Sequence, residues 1–312
     1  MRNKIWEYID NSQKIIILSH QRPDGDAVGS SLSLYSVLKN MGKDVDVVLE
    51  ECSPLFSFLN NYSVIKLDSQ NEYDLAIIVD CSSKERIGQI NDFSSIAKNT
   101  ICIDHHLTNT NYCDINYVEA ETSSCSQIIY YLLKEKGLSI TKEIGEAILL
   151  GVLTDTKGFS NNNVDADTLS LASDLVKNGI DLYKIYSLAL RQKTKSQYLL
   201  SKLASDRLEF FADGKIAFTY ITKEDFLNLN ANIGDHEGIV DIGRDIKGVE
   251  VSIFVREDDG YRFALRSNGK VSVNEIASLF GGGGHKMAAG GVFNTEFNDV
   301  KERLLVETKK RV

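Results

Sequence analysis

Several things are scarce in this sequence, and each scarcity closes off a class of protein. Its 312 residues include five cysteines, at 52, 81, 102, 113 and 125, with no Cys-x-x-Cys pair. An odd count without that spacing argues against a disulfide framework and suits a reducing, cytoplasmic setting. No apolar segment approaches the roughly 20 residues that cross a bilayer. The run Ile15–Leu18 is too short for a signal peptide, and Glu7 and Asp10 precede it. No membrane partner is therefore expected. There is no internal repeat, no low-complexity tract and no Pro- or Gly-rich linker. Positive charge is also in deficit, with 35 Lys/Arg against 44 Asp/Glu and a net charge of −9. A broad basic surface for long nucleic acid is excluded on that ground. The deficit is uneven: residues 1–190 carry a net −10 and residues 191–312 a net +1. An acidic front half is either a solvated surface or a site for divalent cations.

What is present is an alternation of strand and helix patterns. Lys14–Ser19, Asp44–Leu49, Leu75–Val79 and Thr100–Ile103 read as buried strands. Ala27–Asn40 reads as a helix stopped by Gly42, "SQIIYYLLKEKG" as one closed by Gly137, and "TKEIGEAILLGVLTD" as one capped by Thr141. Such alternation predicts an α/β fold, a parallel sheet with helices on both faces. After residue 181 the grammar changes. Two helical stretches lead to hairpins turning at Asp213-Gly214 and Asp259-Gly260, within a smaller α+β unit. The expected division is 1–180, a helical linker over 181–205, and 206–312.

Chemistry-bearing residues gather where these strands end, which is where open parallel sheets bind ligands. His20, Asp24 and Asp26 follow the first strand in "IIILSHQRPDGD"; Asp80 ends "LAIIVD"; Asp104, His105 and His106 end "ICIDHH"; Asp155 follows the helix of "GVLTDT". An aspartate after a strand is by itself an ordinary turn residue. Four carboxylates converging on one rim would repel one another unless a cation lay among them. Mixed imidazole and carboxylate donors without thiolates suit Mn²⁺ first, then Mg²⁺ or Fe²⁺. The donors are too many for one ion with open positions, so two ions are expected. Further along, "GGGGHKMAAGG" presents Gly282, Gly283 and Gly284 before His285 and Lys286, a backbone nest for a phosphate that a following helix would strengthen. No G-x-x-x-x-G-K-[ST] loop and no Ser/His/Asp set occurs. His236 lies outside every motif and reads as a surface residue.

Taken together, "HQRPDGDAVGS", "VDCSS", "IDHH" and "LTDT" resemble the DHH phosphoesterase superfamily, and "ALRSN…VNEIASLFGGGGHKMAAGG" is similar to its DHHA1 domain. The absence of extra domains looks most like the NrnA-type group. The resemblance implies that His20 and Asp24 hold one metal, that Asp26, His105 and Asp155 hold the other, and that Asp80 bridges them. It implies that His106 faces the substrate phosphate with Asp104 orienting an imidazole beside it. Arg266, the glycines, His285 and Lys286 would grip the substrate. Lys157 stands where the family pattern has Gly. The implied activity is hydrolysis, by a water activated between two cations, of very short oligoribonucleotides to mononucleotides and of 3′-phosphoadenosine 5′-phosphate (pAp) to AMP. The implied partners are short RNAs and small nucleotides, and a homodimer is left open. Two alternatives stand beside it: a phosphodiesterase for cyclic or linear dinucleotides such as c-di-AMP and pApA, and a nucleotide sensor without catalysis.

Overall fold

The computed structural model describes residues 1–69, 71–88, 90 and 92–312. It divides into two compact units, Met1–Gln192 and Lys193–Val312. The division falls inside the stretch read as a linker. In the first unit α1 (Arg2–Asn11) precedes β1 (Lys14–Leu18), α2 (Gly25–Asn40), β2 (Asp44–Val48), β3 (Ile65–Lys66), β4 (Tyr73–Val79), β5 (Ala97–Asp104) and β6 (Ile115–Val118). There follow α3 (Cys125–Lys136), α4 (Lys142–Asp155), α5 (Ala166–Lys177) and α6 (Leu182–Tyr186), the last continuing as a π-helical turn over Ser187–Arg191.

The six strands form a parallel sheet in the order β3-β2-β1-β4-β5-β6. Chain direction across the sheet reverses between β1 and β4, the switch point where such sheets open a crevice at their C-terminal edge. Unbroken apolar runs such as Ile15–Leu18 exist because both faces are buried. On one face Ile15, Ile17, Leu75, Ile77, Ile101 and Ile103 pack with residues of α1 to α4. On the other, Ile16, Leu18, Ala76 and Ile78 pack with Ile87 and Phe93, which lie in 3₁₀ turns over Lys84–Ile87 and Phe93–Ser95. Helices thus cover both faces, but they are α-helices on one and single turns on the other.

Glycines let α2 and α4 meet at backbone distance. A Cβ on Gly29 would lie against the Ala147 carbonyl and 3.0 Å from Gly151 N. Thr141 does stand at the N-cap of α4, but its hydroxyl donates to Glu143 Oε2 at 2.9 Å and makes no cap bond.

The second unit runs α7 (Lys195–Asp206), β7 (Glu209–Phe211), β8 (Ile216–Ile221), α8 (Lys223–Asn228), α9 (Ile239–Arg244), β9 (Val251–Asp258), β10 (Gly260–Ser267), α10 (Val273–Ser278), β11 (Gly283–His285), β12 (Ala288–Phe293) and α11 (Phe297–Lys309). Its mixed sheet has the order β11-β12-β10-β9-β8-β7, with only β8 and β9 parallel. Val273, Ile276, Val300 and Leu304 of α10 and α11 cover one face; Leu200, Ala204, Ile239 and Val240 of α7 and α9 pack toward the other.

The glycine run corrects the expected nest. Gly283, Gly284 and His285 form an edge strand paired with Gly290, Ala289 and Ala288, and a strand rather than a helix follows. Gly282 cannot carry a side chain, because a Cβ there would strike the Gly290 carbonyl.

Candidate metal and phosphoester site

The ligand-type residues of the first unit come from both sides of the switch point. The loop after β1 supplies His20 and Asp24, and α2 supplies Asp26 from its first turn. β4 ends into Asp80, held at φ +51, a left-handed conformation that aspartate tolerates better than most residues. β5 supplies Asp104 and leads into His105 and His106; Asp155 is the last residue of α4, not a residue beyond it. These side chains form three overlapping groups: His20, Asp24 and Asp80; Asp26, His105 and Asp155; Asp80, His105 and His106. Within each group the donor atoms lie within 4.8 Å of one another.

His20, His105, Asp24 and Asp26 are each aimed by a neighbour. His20 Nδ1 donates to Gln21 O at 2.8 Å and His105 Nδ1 to Thr122 O at 3.3 Å, which leaves both Nε2 atoms to face the carboxylates. His20 Nε2 is 3.7 Å from Asp80 Oδ2; His105 Nε2 is 3.5 Å from Asp80 Oδ1 and 3.4 Å from Asp155 Oδ2. Asp26 is fully buried, and it accepts from the Cys125 and Ser126 N–H groups at the start of α3, at 2.6 and 2.9 Å. Ser30 Oγ adds a third donor. A helix N-terminus is a favourable place for a carboxylate. Asp24 caps α2 by accepting from the N–H groups of Asp26 and Ala27. Gly151 closes the back of the pocket, where a Cβ would lie 2.5 Å from Asp26 Oδ1 and also against Ser126 Oγ.

His106 is held differently. Its Nδ1 lies 2.7 Å from Asp104 Oδ1, and Asp104, fully buried, accepts from Asn109 Nδ2 at 2.6 Å through its other oxygen. Asn109 escaped the sequence reading. Its signal was present, three residues beyond His106, but nothing in an asparagine's type marks it as the brace of a carboxylate.

The cluster fits divalent cations on its own chemistry. Asp80 is 2% exposed, and its Oδ1 has no hydrogen-bond partner among the described residues, a costly arrangement unless a cation faces it. Burial, then the charge of Asp80, pushes Asp26 up to about 7. Burial, then Asp26, pushes Asp155 up to about 8. Burial opposes the charge of His105, but Asp80, Asp26 and Asp155 outweigh it and raise the imidazole to about 10. Asp80 moves the other way. Burial would raise it, yet His105 and His20 hold it well below the carboxylate range. A proton on His105 thus supplies the positive charge that these carboxylates require.

The predicted substrate residues lie in the second unit. Arg266 is on β10 and pairs with Ala288 of β12, which pairs in turn with His285 of β11, so the three share one face of the sheet. Arg266 Nη1 donates to Leu265 O at 3.1 Å and its Nε is 3.7 Å from Asp241 Oδ1. Burial lowers its pKa against the pull of Asp241. Gly283 and Gly284 lie in the same edge strand as His285, Gly282 immediately precedes it, and exposed Lys286 follows. His236 is not the surface residue expected: it is half-buried, with its ring 6.0 Å from that of Phe254 and nearly parallel to it.

Residues 14–152 match the DHH family N-terminal domain and residues 213–311 the DHHA1 domain. A probable bifunctional oligoribonuclease and PAP phosphatase of Streptococcus mutans is 31% identical over 88% of this chain and 88% of its own. A bifunctional oligoribonuclease and PAP phosphatase of Thermus thermophilus is 27% identical over 96% of this chain and 90% of its own. A solved exopolyphosphatase-related protein of Bacteroides fragilis superposes with a TM-score of 0.93 at 31% identity, covering 99% of this chain and 96% of that one.

Proposed function

The chain belongs to the DHH family, with a DHHA1 domain behind it, and from that premise we propose that it is a metal-dependent phosphoesterase. It hydrolyses short oligoribonucleotides to mononucleotides and removes the 3′-phosphate of pAp. His20 and Asp24 would hold one divalent ion, Asp26, His105 and Asp155 a second, and Asp80 both. The observation that carries this reading is Asp80: buried, with one oxygen unsatisfied, and common to two of the three ligand groups.

Two ions held there supply positive charge to a phosphoester and acidity to a water molecule. The imidazole-carboxylate donor set suits Mn²⁺. The chain's own residues do the rest. Asp104, braced by Asn109, fixes the ring of His106 through Nδ1. In the imidazolium form the second ring nitrogen then donates to a phosphate oxygen. Arg266 offers a fork of N–H groups to a terminal phosphate, with His285, Lys286 and the backbone of Gly282–Gly284 beside it. No side-chain nucleophile is needed.

The test is a side-by-side rate comparison in Mn²⁺ on pAp, RNAs of two to five nucleotides, pApA and cyclic di-AMP, with a chelator control. Turnover of pAp and the short RNAs that stops on chelation and returns with Mn²⁺ is expected. Preferential turnover of cyclic di-AMP would overturn the substrate assignment, and chelator-resistant turnover the metal assignment.

A further inference from the structure

The sheet of the second unit carries a feature that its motifs do not announce. Strand pairing sets three rows of side chains on the face that bears Arg266. One row is Ser252, Arg266, Ala288 and His285. The next is Phe254, Ala264, Gly290 and Gly283. The third is Arg256, Arg262 and Val292. Ala264, Gly290 and Gly283 of the middle row leave a floor of little more than backbone, walled by Phe254, between two rows that each contain arginine. At the third row the surface opens into a cavity of about 230 Å³, lined by His236, Phe254, Arg256, Arg262, Ala264 and Val292 among others.

This cavity has the chemistry of an anion site. The Arg256 side chain is 7% exposed and that of Arg262 is 49% exposed. Asp258 Oδ2 fixes both guanidinium groups, accepting from Arg256 Nη2 at 3.2 Å and from Arg262 Nε at 2.9 Å. The two terminal nitrogens of Arg262 have no partner among the described residues. Asp258 orients the fork of Arg262 as much as it neutralises it. His236, lying over Phe254, forms an aromatic side wall.

Arg262 and Arg266 are four residues apart on β10, roughly 13 Å at the rise of a strand. Their guanidinium groups are fixed by different partners, Arg262 Nε by Asp258 and Arg266 Nη1 by the Leu265 carbonyl. We propose that the Arg256–Arg262 cavity is a second phosphate subsite, which takes a further phosphate of an oligoribonucleotide whose terminal phosphate lies at Arg266. The inference rests on the proposed function for the role of Arg266. Its consequence is length discrimination: an oligomer engages both rows, whereas pAp is too short to do so.

The test is calorimetric titration of the full-length chain in chelator with 5′-phosphorylated tetraadenylate and with pAp. It uses the wild type, Arg262→Gln and Val292→Glu, the last placing a carboxylate opposite Arg262 without removing an arginine. The wild type is expected to prefer the tetramer, and the ratio of tetramer to pAp affinity is expected to fall about tenfold in both variants. A wild-type ratio near one, or a ratio unchanged in both variants, overturns the subsite. Failure of the functional reading would show separately, as absence of turnover of either ligand in Mn²⁺ whatever the binding ratio.

Discussion

In the first unit, seven ligand-type residues come together from two strand ends, a loop and two helices; His20, Asp26 and Asp80 are buried, His105, His106 and Asp155 half-buried and Asp24 exposed. In the second, Arg266 and His285 stand on one face of the antiparallel strands β10 to β12 with the other residues proposed to touch substrate in or beside β11, and His285 and Lys286 are exposed. The first arrangement fixes charge that would repel itself without a counter-ion. The second offers charge to something arriving from solvent. Chemistry and grip are therefore separable, and substitutions in the two units should separate in kinetics.

The largest effect is expected from Asp80→Ala. It removes the one carboxylate shared by two ligand groups, so kcat should fall by on the order of a thousandfold or more. The far-UV circular dichroism should persist, since the contacts of the lost carboxylate are with His20, His105 and His106 of the pocket. Near-wild-type turnover would break the comparison at its centre. A smaller but more diagnostic loss is expected from Gly151→Ala, which touches no substrate. The added methyl would press on Asp26 Oδ1 and Ser126 Oγ. Metal affinity should drop about 10–100-fold, as when a ligand's support is disturbed. Mn²⁺ titration of activity reads this directly, and saturating Mn²⁺ should restore much of the rate.

The contrast between Asp80 and Gly151 also marks what was legible in the sequence. Strands that end in His or Asp are visible as strings, and "HQRPDGD", "VDCSS", "IDHH" and "LTDT" each delivered residues that the fold brings together. Supporting residues are not visible that way. Gly151 reads as an ordinary helix glycine until α2 is seen lying against it, and Asn109 as a loop residue until Asp104 is seen to accept from it. Single 3₁₀ turns such as Phe93–Ser95 have no periodicity to detect, and the two-residue β3 is too short for any pattern. The glycine run suggested a nest before a helix because its composition permits one; its pairing with β12 depends on partners that local composition cannot name.

In the second unit Arg266→Ala should spare kcat and raise KM for a dinucleotide about tenfold or more, the loss of a charged hydrogen bond to phosphate. His285→Ala should act in the same direction. An unchanged KM would remove the gripping role and leave the sheet face without its assigned task. A fall in kcat as large as that of Asp80→Ala would erase the separation between the units.

The smallest effect concerns the first unit without metal. Asp26, at about 7, and Asp155, at about 8, hold protons in the folded chain that the unfolded chain releases near pH 4. Between those values the folded state binds more protons, so stability declines as pH rises through the window. His105, raised to about 10, acts with the same sign: its contribution is complete below about 6.5 and is lost as pH rises through 10. Asp80, shifted down, contributes above its unfolded value and loses that only in strong acid, so it leaves the range from pH 5.5 to 8 untouched. The chelated protein should therefore melt at least about 3 °C lower at pH 8 than at pH 5.5, the change that ~1 kcal/mol makes in a unit of this size. Added Mn²⁺ should raise the melting temperature more at pH 8 than at pH 5.5, because the ion takes the place of the protons. A chelated melting temperature that is flat or rises across this range would mean that the carboxylates do not share one pocket. Since His285 and Lys286 belong to the second unit, His285→Ala is expected to leave that slope intact, while Gly151→Ala should alter it.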